Sequence, residues 1–220
     1  MRAKRATVPA RRKLSLKAQI TYYLSEGQEN RQANIAIAAA RARELEARYF
    51  IIFTIMGDGA REAIRELEGT ATQIVAVTCP ADTTLYSRSE GSDELQTVKV
   101  GISAEVEVEL RAGGISVARA ALPFSEIALA PYTTDPKLAA IRATLDLFGG
   151  GTTLCVQAVL MACDHGAVPA NEEVVVCAAD TALVVKAAHE ADVFTPWGLE
   201  IREIIAKPRR LTITKGVEQP

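Results

Sequence analysis

Aromatic side chains are scarce in this chain, with Tyr, Phe and Trp making up 5% of its 220 residues. A core of ordinary size must therefore be filled by Ala, Val, Ile and Leu, and small side chains let helices lie close against a sheet. Cysteine is sparse too. Cys79, Cys155, Cys163 and Cys177 form no CxxC pair, which argues against a disulfide framework or a zinc ribbon and for reduced, buried thiols in a cytoplasmic protein. Two histidines, His165 and His189, leave little general-base capacity near neutral pH. No segment approaches about 18 consecutive apolar residues, so no membrane-spanning helix is expected. No apolar stretch follows the N-terminal charges, so no secretory signal is expected either. Walker loop, GxGxxG, GxSxG and HExxH motifs are all missing, and no metal site or reaction can be written from the motifs.

What is present is an uneven charge. The net charge is -2, yet residues 1–17 hold seven basic side chains and no acid, leaving 18 basic against 27 acidic, or -9, for the remainder. An acidic body repels nucleic acid and anionic membrane, so neither is expected as a partner. The basic residues 1–18 read as a flexible arm, 19–212 as one α/β domain and 213–220 as a tail.

Strand and helix signals alternate through the first third. Residues 19–24 read as a strand, Glu29 to Ala47 as an Ala-rich helix, 49–55 as a strand apolar on both faces, Gly59 to Leu67 as a helix and 73–78 as a third strand. A β-α-β-α-β run implies a right-handed, parallel sheet. The polar stretch 79–97 reads as a long loop. Residues 102–112 alternate like a strand in EVEVEL, but the following Gly113-Gly114 favours a helix ended by glycine, and ISVARA then reads as a strand. Asp135 to Phe148 reads as a helix with Pro136 in its first turn. Thr152 to Gly166 is apolar nearly all round, as in a buried helix. Three strands close the chain, over 172–178, 181–187 and about 199–206, at least one of them antiparallel.

Three junctions are candidate binding sites. Thr54-Ile-Met-Gly57-Asp58-Gly59 lies where a buried strand gives way to a helix, and open α/β sheets bind ligands at such carboxyl ends. Its glycines allow close backbone approach, and the helix start offers free N–H groups to an anion. Asp58 can cap that helix, although its charge opposes a phosphate. Glu29 and Asn30 follow the first strand and would share the crevice if strands one and two are neighbours. Asp180 and Thr181 open a late strand that Lys186 ends, so this lysine is a candidate anion ligand. In the apolar helix, Gln157 needs buried partners, whereas Asp164 and His165 lie near its solvent end. For the first two junctions the plainer alternative is an ordinary capped turn, and for the third it is a lysine solvated at a strand edge.

The stretches LFGGGTTLCVQAVLMACDHGAVPANEEVVV, ADTALVVKAAHEADVF and IREIIAKPR, with YYLSEGQEN, TIMGDGA and AVT earlier, resemble the stand-alone pyruvate kinase C-terminal (α/β) domain-like proteins over roughly residues 19–210. The resemblance implies a three-layer α/β/α sandwich around a mainly parallel sheet with an antiparallel edge. It implies a small phosphorylated ligand held at Thr54–Ala60, with flavin mononucleotide (FMN) as the cofactor some members carry. It also implies self-association into a homo-oligomer, and no kinase activity, because phosphoryl transfer in that family belongs to a separate barrel of about 250 residues. This chain departs from the family pattern at the site. Gly59 stands where a Thr is usual, Gln157 where a Glu is usual and Arg31 where a Thr follows Glu-Asn, and an Arg-containing loop before Ala179-Asp180 is shortened. The expectations are a ligand-binding, non-kinase domain first. A divergent structural or interaction protein that has lost the ligand comes second, and a flavin-linked enzyme using Asp58, Asp164 or Lys186 third.

Overall fold

The computed structural model describes residues 17–88, 95–124 and 135–215. Most of the basic arm and the end of the tail lie outside them. In chain order the elements are β1 (Thr21–Ser25), α1 (Arg31–Glu44), β2 (Tyr49–Phe53), α2 (Asp58–Glu66), β3 (Gln73–Thr78), β4 (Thr83–Arg88), β5 (Leu95–Val100), α3 (Ala104–Ala112), β6 (Ser116–Arg119), α4 (Pro136–Leu145), α5 (Gly150–Asp164), β7 (Glu173–Cys177), β8 (Ala182–Lys186) and β9 (Glu200–Arg210).

Period decides most of these. Tyr49, Phe50, Ile51 and Ile52 are all buried, which makes β2 the central strand its unbroken apolar run predicted. Phe50 and Ile52 face α1 and α2, while Tyr49 and Ile51 face α5. Ala38, Ala39 and Ala42 are completely buried, so α1 sits close to the sheet. In α3 the EVEVEL segment is helical, as the glycine stop predicted. The Ser103 hydroxyl accepts the Val106 N–H at 3.3 Å and caps it. Asp135 caps α4 by accepting the Lys137 N–H at 2.8 Å.

Seven strands form one sheet in the order β1-β9-β8-β7-β2-β3-β6. The architecture is α/β with three layers: α1, α2 and α3 pack on one face, and α5, with α4 behind it, on the other. Six strands run parallel and β8 runs against β7 and β9. The antiparallel member expected at the edge is third in the order, because β9 and β1 add to its outer side. Strands one and two are therefore not neighbours; β9, β8 and β7 stand between them.

Residues 79–97 hold strands rather than a long loop. β4 and β5 pair antiparallel from Thr83↔Val100 to Arg88↔Leu95 as a separate ribbon. Thr83, Thr84, Thr97, Val98 and Val100 supply the β-branched content for it, although the stretch is polar overall. Among the described residues no helix is long and apolar enough to cross a membrane.

Candidate functional site

The parallel strands all point their carboxyl ends to one edge of the sheet, and antiparallel β8 begins there. That edge gathers Glu29, Asn30, Thr54, Gly57, Asp58, Gly59, Asp180 and Thr181. Lys186 is elsewhere. It pairs in register with Glu173 at the start of β7 and Glu200 at the start of β9, at the opposite end of the sheet, where its Nζ meets Glu200 Oε1 at 2.6 Å. Expecting Lys186 in the crevice is thus corrected: in an antiparallel strand the first and last residues lie at opposite edges. Asp164 ends α5 at that far side too, 2.7 Å from His189 Nδ1, and leaves the set of crevice acids.

A pocket of about 340 Å³ opens outside the ends of β2 and β7, walled by Gln28, Arg31, Thr54, Asp58, Ala178 and Ala179, with Met56 and Leu154 among its apolar members. Thr54 and Asp58 belong to it as expected. At the other two junctions the neighbours take part instead: Gln28 and Arg31 flank Glu29 and Asn30, and Ala178 and Ala179 precede Asp180. Asn30 turns back, donating from Nδ2 to Ser25 O at 3.0 Å. Residues 28–30 form a single 3-10 turn, so α1 starts at Arg31 rather than Glu29.

The glycines after β2 serve packing. Gly57 has φ 94°, a left-handed conformation that favours glycine, and its N–H donates to Thr54 Oγ1 at 3.1 Å. A Cβ there would sit 2.7 Å from Val106 Cγ1, and one on Gly59 would press on Ile52 Cγ1 at 3.2 Å. These positions face α3 and β2, so their lack of a side chain does not admit a ligand. The N-cap of α2 is Gly57, so Asp58 stands inside the first turn rather than at the cap; it pairs with Arg61 at 3.2 Å, and Arg61 also binds Glu109 at 2.7 Å. Arg31 is held by Glu62 at 2.8 and 3.1 Å, and this hydrogen bonding raises its pKa further. Both described arginines near the pocket, Arg31 and Arg61, are thus countered by carboxylates.

A second constellation closes the edge around the start of α5. Glu26, 6% exposed, accepts the N–H groups of Gly150 at 3.3 Å and of Ile213 and Thr214 at 2.7 Å each, together with the Thr214 hydroxyl. Its carboxylate occupies the place an anion takes at a helix N-terminus. Asp180 accepts the Gly27 N–H and the Thr181 hydroxyl, both at 3.0 Å. Burial, assisted by the nearby Glu26 charge, still raises its pKa. Asn34, fully buried, donates to the carbonyls of Ala178 at 2.9 Å and Thr181 at 3.0 Å, and Tyr23 donates to Asn34 Oδ1 at 3.3 Å. Burial, then the Asp180 charge, pushes the Tyr23 phenol up to about 12. Gln157 finds its partners, accepting the Phe124 N–H at 2.8 Å and donating to Thr153 O at 3.3 Å.

Glu26, Gln28 and the Arg31–Glu62 pair were not singled out as site residues from the sequence. Arg31 was legible as a replacement that adds charge; a lone acid such as Glu26 carries no local signal. Among the described residues no three or more His, Cys, Asp or Glu side chains gather as a metal site would need.

No family model matches the sequence. Solved structures similar to this chain include pyruvate kinases of Cryptosporidium parvum. One is 12% identical, with a TM-score of 0.34 over 67% of this chain and 20% of that one. A second is 14% identical, with a TM-score of 0.32 over 71% and 22%, and a complex with ADP is 13% identical, with a TM-score of 0.33 over 81% and 24%. The chain spans under a quarter of each of these pyruvate kinases.

Proposed function

We propose that this domain binds a small phosphorylated molecule in the pocket between the ends of β2 and β7, and that it does so without kinase chemistry. The observation that carries the reading is the pocket's position. Outside the carboxyl ends the chain leaves β2 for α2 and leaves β7 by a tight turn into antiparallel β8, with Leu154 in the first turns of α5 on the other wall, and the carboxyl ends of open α/β sheets are where ligand crevices form. Its volume lies near the lower end of the usual range for small-molecule sites, about 300–1,000 Å³. Apolar walls suit a flat or aliphatic body, and the start of α2 with Arg31 suits one anionic group. FMN has that chemistry. The anion would have to draw Arg31 from Glu62, so binding should be modest and sensitive to salt.

The test is a thermal-shift and equilibrium titration with FMN, sugar phosphates and inorganic phosphate, on wild type and Arg31→Ala. A ligand held at about 100 times its Kd stabilises the fold by about 2.7 kcal/mol. Stabilisation by an organic phosphate that Arg31→Ala removes supports the reading; no shift with any of them refutes it.

The second reading is a structural or interaction domain without a ligand. Glu26 favours it, because this carboxylate already fills the anion position at the start of α5. A flavin-linked reaction would be left with Asp58 as its acid-base group, and Asp58 is paired with Arg61.

A further inference from the structure

The outer face of α5, on the side of the sheet opposite α1, holds a second cavity of about 420 Å³. Val156 and Phe124 line its base, Ile141 and Leu145 of α4 one wall, and Phe194 and Leu199 the other. Val156 and Phe124 are buried, whereas α4 has no buried residue and its apolar stripe is only part-covered. The far wall is a preformed loop: the Leu199 N–H donates to Val193 O at 3.3 Å and the Thr195 N–H to Asp192 O at 2.9 Å. Thr144 is the one polar side chain in this lining, and its hydroxyl is bonded to Ala140 O at 2.8 Å. Apolar cavities of this kind stay dry and take hydrocarbon; one of about 150 Å³ lined by Leu, Ile and Phe admits benzene. Here there is room for a longer chain.

We propose that the cavity is a site for an aliphatic monocarboxylate of medium chain length, separate from the phosphate pocket beside Arg31. The chain lies along α4 and the carboxylate meets Lys137. Charge sets this direction. Exposed Lys137 precedes Ala140 and Ile141 by three and four positions, so it continues their stripe, and the positive pole of the helix dipole lies at the same end. Asp135 at that end is held by its capping bond to the Lys137 N–H. Glu190, Asp192 and Glu200 flank the opposite wall and turn a carboxylate away. From Lys137 to Leu145 α4 rises about 12 Å, at about 1.5 Å per residue, which suits a chain rather than a compact ring.

Isothermal titration of the full chain with hexanoate, octanoate, decanoate and dodecanoate, each below its micellar concentration, tests this. Kd should fall about fourfold per added methylene until the groove is filled. Ala140→Phe, at an exposed α4 position that lines the groove, should abolish binding with circular dichroism unchanged. Lys137→Gln should weaken octanoate about threefold, as for an exposed ion pair, and leave octanol unaffected. No binding at any chain length, as when another stretch of the chain or a second copy fills the groove, overturns the inference. So does a Kd independent of chain length, an Ala140→Phe variant that binds as wild type does, or an equal loss of octanoate and octanol with Lys137→Gln.

Discussion

The carboxylate of Glu26 accepts the N–H of Gly150 at 3.3 Å, joining the end of β1 to the start of α5. The same group takes the Ile213 and Thr214 amides, so one side chain satisfies three donors and balances a helix dipole. Glu26→Ala should cost about 2 kcal/mol, because the part-buried Ile213 and Thr214 amides lose this acceptor while the Gly150 N–H keeps the Thr214 hydroxyl at 2.8 Å, and Glu26→Gln about 1 kcal/mol, because it keeps an acceptor but loses the charge. Urea unfolding measures both. Glu26→Ala also uncovers an anion position, so sulfate should stabilise this variant more than wild type.

Space is equally constrained one residue on. A Cβ on Gly151 would stand 2.6 Å from Asp180 Oδ1 and 2.7 Å from Thr181 Cβ. α5 can approach the turn before β8 only without a side chain there. Gly151→Ala should destabilise by about 1–3 kcal/mol through overpacking. Gly166→Ala is a control of different origin: nothing lies within 4 Å of its Cβ, but its φ is 77°, so its smaller penalty comes from the backbone alone.

Asp180 gives a pH dependence of defined sign. Burial raises its pKa in the folded chain above the unfolded value, so the native state binds its proton first. Between the raised folded value and the ordinary carboxylate value, lowering the pH therefore relieves a penalty that is present in full at neutral pH. Asp180→Asn removes this response. Stability measured by denaturant at neutral and acid pH should show wild type gaining on the Asn variant as the pH falls. Glu107 works oppositely: hydrogen bonds from Arg119 and then Arg111 lower its pKa. Its contribution is present above the unfolded value and lost as the pH falls through the folded one, and solvent reduces its size.

These residues differ in how far the sequence revealed them. β2 and β3 were legible because apolar runs of strand length between helical segments have few alternatives, and α5 because an all-round apolar helix must be buried. The neighbours of β1 were not legible, since nothing local in YYLSEG says that a strand about 185 residues later will lie beside it. The β4–β5 ribbon escaped for another reason: its pairing is local and its composition polar, so it lacks the apolar signature of a core strand. Thr54 and Asp58, which line the pocket, were singled out by the rule that ligands sit at strand ends. Gln28 and Arg31, which line the pocket, flank the expected Glu29 and Asn30 by one position because the helix was started two residues early, although Arg31 was already legible as an added charge.

Lys186 shows what a single reversed strand changes. It is 9% exposed and bonded to Glu200, whose side chain is 48% exposed. Removing the buried partner leaves a solvated carboxylate that still has Arg202 at 3.2 Å. Removing the exposed partner leaves a buried ammonium with no carboxylate to match it. Breaking a buried pair from the side that strands a charge is the costlier change. Lys186→Met should therefore be nearly neutral, within about 1 kcal/mol, because an apolar chain of similar length fills the same channel, while Glu200→Gln should be clearly the more destabilising of the two. Denaturant unfolding of the two variants checks the asymmetry, and equal losses would remove it. Because this pair lies at the amino end of the sheet, neither change should alter the affinity of any ligand bound beside Arg31.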